Sequence, residues 1–219
     1  MHRAGRFWRS TVGKKIVMGA TGLILVAFVV LHMAGNLQFL SGAERFNAYS
    51  HLLQHDLIEL TWLLRIVLLV AVGLHVTAAV QLTRRNWSAR PEAYERREPQ
   101  VSTYAARSLR WGGVYLLVFI PYHLLHFTTG TLHPAFMKDG AYDNVVIGFQ
   151  VTWVAIFYLG AMIFLSLHLY HGAWAMFRTL GLVRPSADPL HRRVALAVAV
   201  IVPLGFSLLP LSVMLGFVR

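Results

Sequence analysis

Four histidines, His32, His75, His123 and His168, fall one to each of four long apolar stretches of the chain. An ionisable side chain at membrane depth is costly, so as a rule it faces the bundle interior and has a task there. Imidazoles from two facing helices are natural axial ligands for a haem iron. For one such histidine alone, a hydrogen bond between helices competes with that reading. The chain has no cysteine, which excludes c-type haem attachment, cysteine-ligated iron–sulfur clusters, disulfides and thiol chemistry. Any redox cofactor must then hang on histidine.

The elements that position these residues are long hydrophobic helices. Of 219 residues 57% are hydrophobic and only 13% charged, against about 25% charged in a soluble domain. Apolar runs stand at about 16–40, 57–82, 111–132, 145–177 and 194–218. Each reaches the roughly 20 residues needed to cross a bilayer core. The expected fold is all-α: one transmembrane domain, 1–219, of five spans. The first run is too long for a signal peptide and lacks a small-residue cleavage site.

Charge sets the expected orientation. The segments before span one, between spans two and three, and between spans four and five carry 5, 7 and 4 of the 20 Lys and Arg residues. By the positive-inside rule the N-terminus is cytoplasmic and the C-terminus outside. The net charge of +11 is thus a topology signal. Basic residues split among short loops do not make a nucleic-acid surface. Residues 84–110 form a cytoplasmic linker, whose Pro- and charge-rich part, 86–100, offers a docking surface for a soluble partner.

Orientation turns positions into depths. His75 lies nine residues before Arg84 and His168 ten before Arg178, about 14 to 15 Å from the cytoplasmic boundary. His32 comes 17 residues after Lys15 and His123 13 after Arg110, about 25 and 20 Å from that boundary, a difference that helix tilt absorbs. Two levels of two histidines point to two stacked bis-histidine haems and an electron path across the membrane. Gly22, Gly35, Gly73, Gly113, Gly160 and Gly172 offer room for porphyrin faces, or simply close helix packing. Pro121 precedes His123 and can kink its helix, whereas Pro203 and Pro210 read as shape features. His126 and His171 stand three residues after His123 and His168, on the same helix faces, so spacing alone accepts either member of each pair. His2, His133 and His191 fall in tails or loops and are expected to be solvated.

Taken in order, the motifs resemble the single-chain, five-helix, di-haem cytochrome b anchors of succinate:quinone oxidoreductase, quinol:fumarate reductases included. They are His32-Met33-Ala34-Gly35-Asn36, Gly42-Ala43-Glu44-Arg45-Phe46-Asn47 with His51 following, and Leu74-His75. Arg110-Trp111-Gly112-Gly113 follows, ten residues before His123, and then His168-Leu169-Tyr170-His171-Gly172-Ala173-Trp174. The resemblance covers nearly the whole chain. It selects His123 over His126 and His168 over His171, and it pairs His75 with His168 for the inner haem and His32 with His123 for the outer.

What the resemblance implies is a subunit of succinate dehydrogenase in the inner membrane of a prokaryote. A flavoprotein and an iron–sulfur protein on the cytoplasmic side would carry the succinate chemistry. This chain would anchor them and pass electrons through two b-type haems to quinone, with menaquinone favoured; alone it would not oxidise succinate. Lys14, Lys15, Arg110 and Arg178 are candidates for the inner propionates, and His51 for an outer propionate or quinone contact. Quinone candidates are His55, Asp56 and Glu59 outside, and Ser10 and Thr11 inside. One departure is Ser166, where some di-haem fumarate reductases have a proton-carrying glutamate. Other readings are a cytochrome b subunit of a hydrogenase or formate dehydrogenase, a haem-free structural anchor, or a transporter that uses the histidines as proton relays.

Overall fold

The computed structural model describes residues 3–89, 104–182 and 188–218. Among these the chain is all-α. In order come α1 (Arg3–Arg9), α2 (Thr11–Asn36), a 3-10 turn (Leu37–Ser41), α3 (Ala43–His51), a π turn (Leu52–Asp56) and α4 (Ile58–Ser88). Then follow α5 (Tyr104–His123), a second π turn (Leu124–Thr128), α6 (Ala141–Gln150), α7 (Thr152–Thr179) and α8 (Asp188–Met214). Four of these helices are long and apolar enough to cross a membrane: α2 with its 3-10 extension, α4, α7 and α8. Large apolar side chains point outward along α4, among them Trp62, Leu63, Ile66 and Leu69. Exposed hydrophobic surface of this extent suits lipid.

The helix limits differ from the apolar runs in three places. The run at 145–177 is not one helix, because Val151 adopts an extended conformation (φ −78°, ψ 101°) and separates α6 from α7. Val145, Val146 and Phe149 of α6 are apolar for another reason than lipid: they are buried with Phe39, Phe46, Leu209 and Val213 in a core that caps one end of the bundle. The run at 111–132 ends early. Three residues after Pro121 the helix widens into the π turn, and Gly130 then turns the chain with a left-handed φ of 73°. Proline cannot donate to the helical ladder and crowds the preceding turn, a common origin of such breaks. Finally, the expected linker at 84–110 is helical at both of its ends, in α4 and α5; residues 90–103 lie outside the described residues.

Packing gives the bundle a spine. α7 packs against α8, α5 and α2, and α2 also receives α4 and α8. α4 therefore flanks the spine through α2, and α5 through α7. The helices that bear the histidines of one level, α4 with α7 and α2 with α5, are not closely packed neighbours among the described residues. Basic side chains gather at one end: Arg85 donates to Thr11 Oγ1 (3.2 Å) and the Arg9 carbonyl (2.7 Å), and the Arg110 guanidinium lies 5.7 Å from the Trp87 ring centre. The loops, α3 and α6 form the far end.

Candidate functional site

Across those loosely packed helix pairs the histidines meet. The rings of His75 on α4 and His168 on α7 have centres 6.2 Å apart, near the basic end. Those of His32 on α2 and His123 on α5 are 6.0 Å apart, nearer the far end. All four are half-buried. A metal–imidazole nitrogen bond of about 2.0–2.1 Å on each side, with the ring half-widths added, brings two axial imidazole centres to roughly 6 Å. Each level thus has the spacing for one metal, with two facing imidazoles among the described residues.

The second partners of the rings differ by level. Thr21 on α2 donates its hydroxyl proton to the Val17 carbonyl (2.7 Å). Toward His75 Nδ1, 3.2 Å away, its oxygen can therefore only accept. In that order of bonds the His75 proton is on Nδ1 and Nε2 keeps its lone pair, the tautomer a metal ligand needs. His168 Nδ1 is buried with no hydrogen-bond partner. At the far end Asn36 Nδ2 donates to the His32 carbonyl (2.8 Å) and lies 3.2 Å from His32 Nδ1. The same nitrogen stands 3.5 Å from His32 Nε2, so it lies near both ring nitrogens and selects neither tautomer. His123 Nδ1 stands 3.3 Å from the Tyr158 hydroxyl.

Aromatic rings crowd the far pair. Phe28 stacks on His32 at 5.2 Å and Phe206 lies 5.5 Å away, while Phe119, Phe127 and Tyr158 surround His123 at 5.7 to 6.0 Å. At the near pair a Cβ on Gly22 would meet only the His75 ring, at 3.5 Å. A Cβ on Gly73, Gly113 or Gly172 would meet nothing within 4 Å. The other two glycines serve packing: a Cβ at Gly35 would strike the Tyr49 hydroxyl, and one at Gly160 would come 2.7 Å from that of Tyr115. Ser166, for its part, donates to the Ala199 carbonyl at 2.7 Å.

The remaining candidates divide by whether the fold already uses them. Ser10 caps α2, accepting from the Gly13 N–H and donating to the Phe7 carbonyl, both at 2.8 Å. Thr11 holds Arg85, and Lys14 is buried with Nζ donating to the Trp8 carbonyl at 2.8 Å. Lys15 and Arg178 line an open cleft of about 280 Å³ with Val12, Ile16 and Thr179. At the far end His51 stacks on His55 at 4.3 Å, His51 Nδ1 lies 3.8 Å from Asp56 Oδ2, and His55 Nε2 lies 3.5 Å from Asp139 Oδ1. These four side chains are exposed, as is Glu59 in the first turn of α4.

One histidine departs from expectation into the core. His133, expected to be solvated, is buried: its Nδ1 accepts from the Ala135 N–H (3.1 Å) and its Nε2 donates to the Asn144 carbonyl (2.8 Å). The loop folds inward because these two backbone groups satisfy both ring nitrogens. His126 is wholly buried beside it, ring centres 5.0 Å apart. His191 packs on Phe177 at 4.9 Å, and His2 lies outside the described residues. Thr21 and Tyr158 carry no sequence motif, although both are polar residues within long apolar helices. Models of known protein families, curated proteins and solved structures gave no match to this chain.

Proposed function

We propose that the chain is a five-helix, di-haem cytochrome b, the membrane anchor of a succinate:quinone oxidoreductase. α5 with its π turn is the fifth span, the basic end faces the cytoplasm and the far end the outside of a prokaryotic inner membrane. The observation that carries this reading is the pair of facing histidine couples, 6.2 and 6.0 Å between ring centres, on helices that otherwise stand apart. Two nitrogens per level are too few to cage a bare ion, and no group of three or more metal-ligating side chains occurs among the described residues. Two axial nitrogens do fit a macrocycle that brings its own equatorial donors.

His75 and His168 would hold the inner haem, and His32 and His123 the outer. Bound there, haem supplies reversible one-electron transfer between a cytoplasmic iron–sulfur partner and quinone. The chain's own residues do the rest. Thr21 orients His75, and Gly22, Gly73, Gly113 and Gly172 leave room. Lys15 and Arg178 put positive charge at the cytoplasmic edge, where propionates would meet them. Ser10, Thr11 and Lys14 are engaged in the fold. Our choice for quinone is therefore the far-end group of His51, His55, Asp56 and Asp139, whose side chains can donate to carbonyl oxygens and exchange protons with water.

Reduced-minus-oxidised optical spectra of the purified chain test this directly. A b-type signal is expected, and its absence sinks the proposal in favour of a haem-free anchor or a proton-relay transporter. Succinate-dependent menaquinone reduction is expected only when the flavoprotein and iron–sulfur partners are present. Formate- or hydrogen-dependent reduction would assign the chain to another oxidoreductase.

A further inference from the structure

His126 has no place in the function proposed above, yet it is the more deeply buried member of its HxxH pair and fully enclosed. Its surroundings are built for it. A Cβ on Gly148 would come 2.9 Å from His126 Cε1 and 3.2 Å from His133 Nε2, so only glycine there leaves space for the two rings. His133 has both nitrogens engaged and cannot serve as a partner. His126 Nε2 has none. Among the described residues its one polar side-chain contact runs from Nδ1 to the Tyr158 hydroxyl at 3.1 Å, the hydroxyl that also reaches His123 Nδ1 at 3.3 Å.

One phenol between two imidazole nitrogens can donate to only one of them and must accept from the other. Without a metal, the less costly order has His126 Nδ1–H donating to Tyr158 and Tyr158 donating to His123 Nδ1. That leaves only a lone pair, not a proton, unpaired at the buried His126 Nε2. If His123 binds metal through Nε2, its ring proton must sit on Nδ1 and donate to the Tyr158 oxygen. Tyr158 then donates to His126 Nδ1, and the His126 proton moves to Nε2. Each group holds one proton in both orders; the Nε2 proton displaced from His123 is matched by the one gained at His126 Nε2.

We propose that Tyr158 and His126 form a positioning relay for the far-end metal site, and that ligation by His123 reverses both hydrogen bonds about the Tyr158 hydroxyl. The inference rests on the haem reading of His123. Donation from a ligand's second nitrogen raises its basicity, and linked hydrogen bonds polarise one another. The relay therefore favours the oxidised iron.

The test is redox titration of the two haems, resolved optically, in the full chain and in two variants. Tyr158→Phe keeps the ring packing and is expected to raise the reduced-to-oxidised ratio of the outer haem about tenfold at fixed potential, about 59 mV for one electron. His126→Leu is expected to shift it less, in the same direction, and neither variant should move the inner haem. An unmoved outer potential in Tyr158→Phe, or an equal shift of both haems, overturns the relay and leaves the di-haem reading standing. If Tyr158→Phe sheds the outer haem, the His126→Leu titration decides: a rise supports the relay and no change overturns it. Absence of any b-type haem from the unaltered chain removes both proposals.

Discussion

The two histidine levels solve the same geometric problem by different means. Near the basic end the ring of His75 is aimed by one hydroxyl and given space by glycine: the Thr21 oxygen stands 3.2 Å from Nδ1, and a Cβ on Gly22 would meet only the His75 ring. At the far end the rings of His32 and His123 are wedged among five aromatic side chains, above a core of Phe39, Phe46, Phe149 and Leu209. One level is set by hydrogen bonding and room, the other by packing. The difference extends to hydrogen bonding. The Thr21 hydroxyl stands at one ring nitrogen of His75, Nδ1, whereas Asn36 Nδ2 lies 3.2 and 3.5 Å from the two ring nitrogens of His32 and selects neither.

Substitutions can break this contrast. The largest effect is expected from Gly22→Leu, which drives side-chain atoms into the His75 ring. It should abolish inner haem binding and leave the outer haem, read as half the haem per chain, while Gly22→Ala, with its Cβ in ordinary contact at 3.5 Å, keeps both. Next comes Phe39→Ala. Removing this ring, 1% exposed, from the far-end core should lower stability by about 3–5 kcal/mol, measured by unfolding in detergent, and loosen the outer haem before the inner.

A smaller loss follows from removing the acceptor of His75. Thr21→Val should weaken inner haem binding about tenfold, with Thr21→Ser restoring it because the hydroxyl, not the methyl, makes the contact. Smallest is Ser10→Ala, which removes the α2 cap and should cost about 1 kcal/mol in the same unfolding assay, with quinone reduction unchanged. An unchanged stability with lost quinone reduction would instead make Ser10 a quinone ligand.

Much of the site could be read without coordinates because helix rise is constant. A rise of about 1.5 Å per residue is enough to put His75 level with His168 and His32 near His123, and those are the rings that face each other. What composition could not reveal is why a segment is apolar. Val145, Val146 and Phe149 look like the start of a span, yet they belong to a capping helix buried on protein, and hydrophobicity alone does not separate the two. The same limit hid His133, whose polarity in a loop points to water, although two backbone groups draw it inside. Thr21 and Tyr158 were equally hidden. Their roles depend on partners 54 residues away in one case and 35 and 32 in the other, which only the folded bundle brings together.

The most direct measurement is haem content and redox titration of four single variants: His75→Ala, His168→Ala, His32→Ala and His123→Ala. Two b-type haems are expected in the unaltered chain. His75→Ala and His168→Ala should lose the same one, and His32→Ala and His123→Ala the other. Loss of different haems within either couple, or retention of both haems in any of the four, would contradict the paired bis-histidine account.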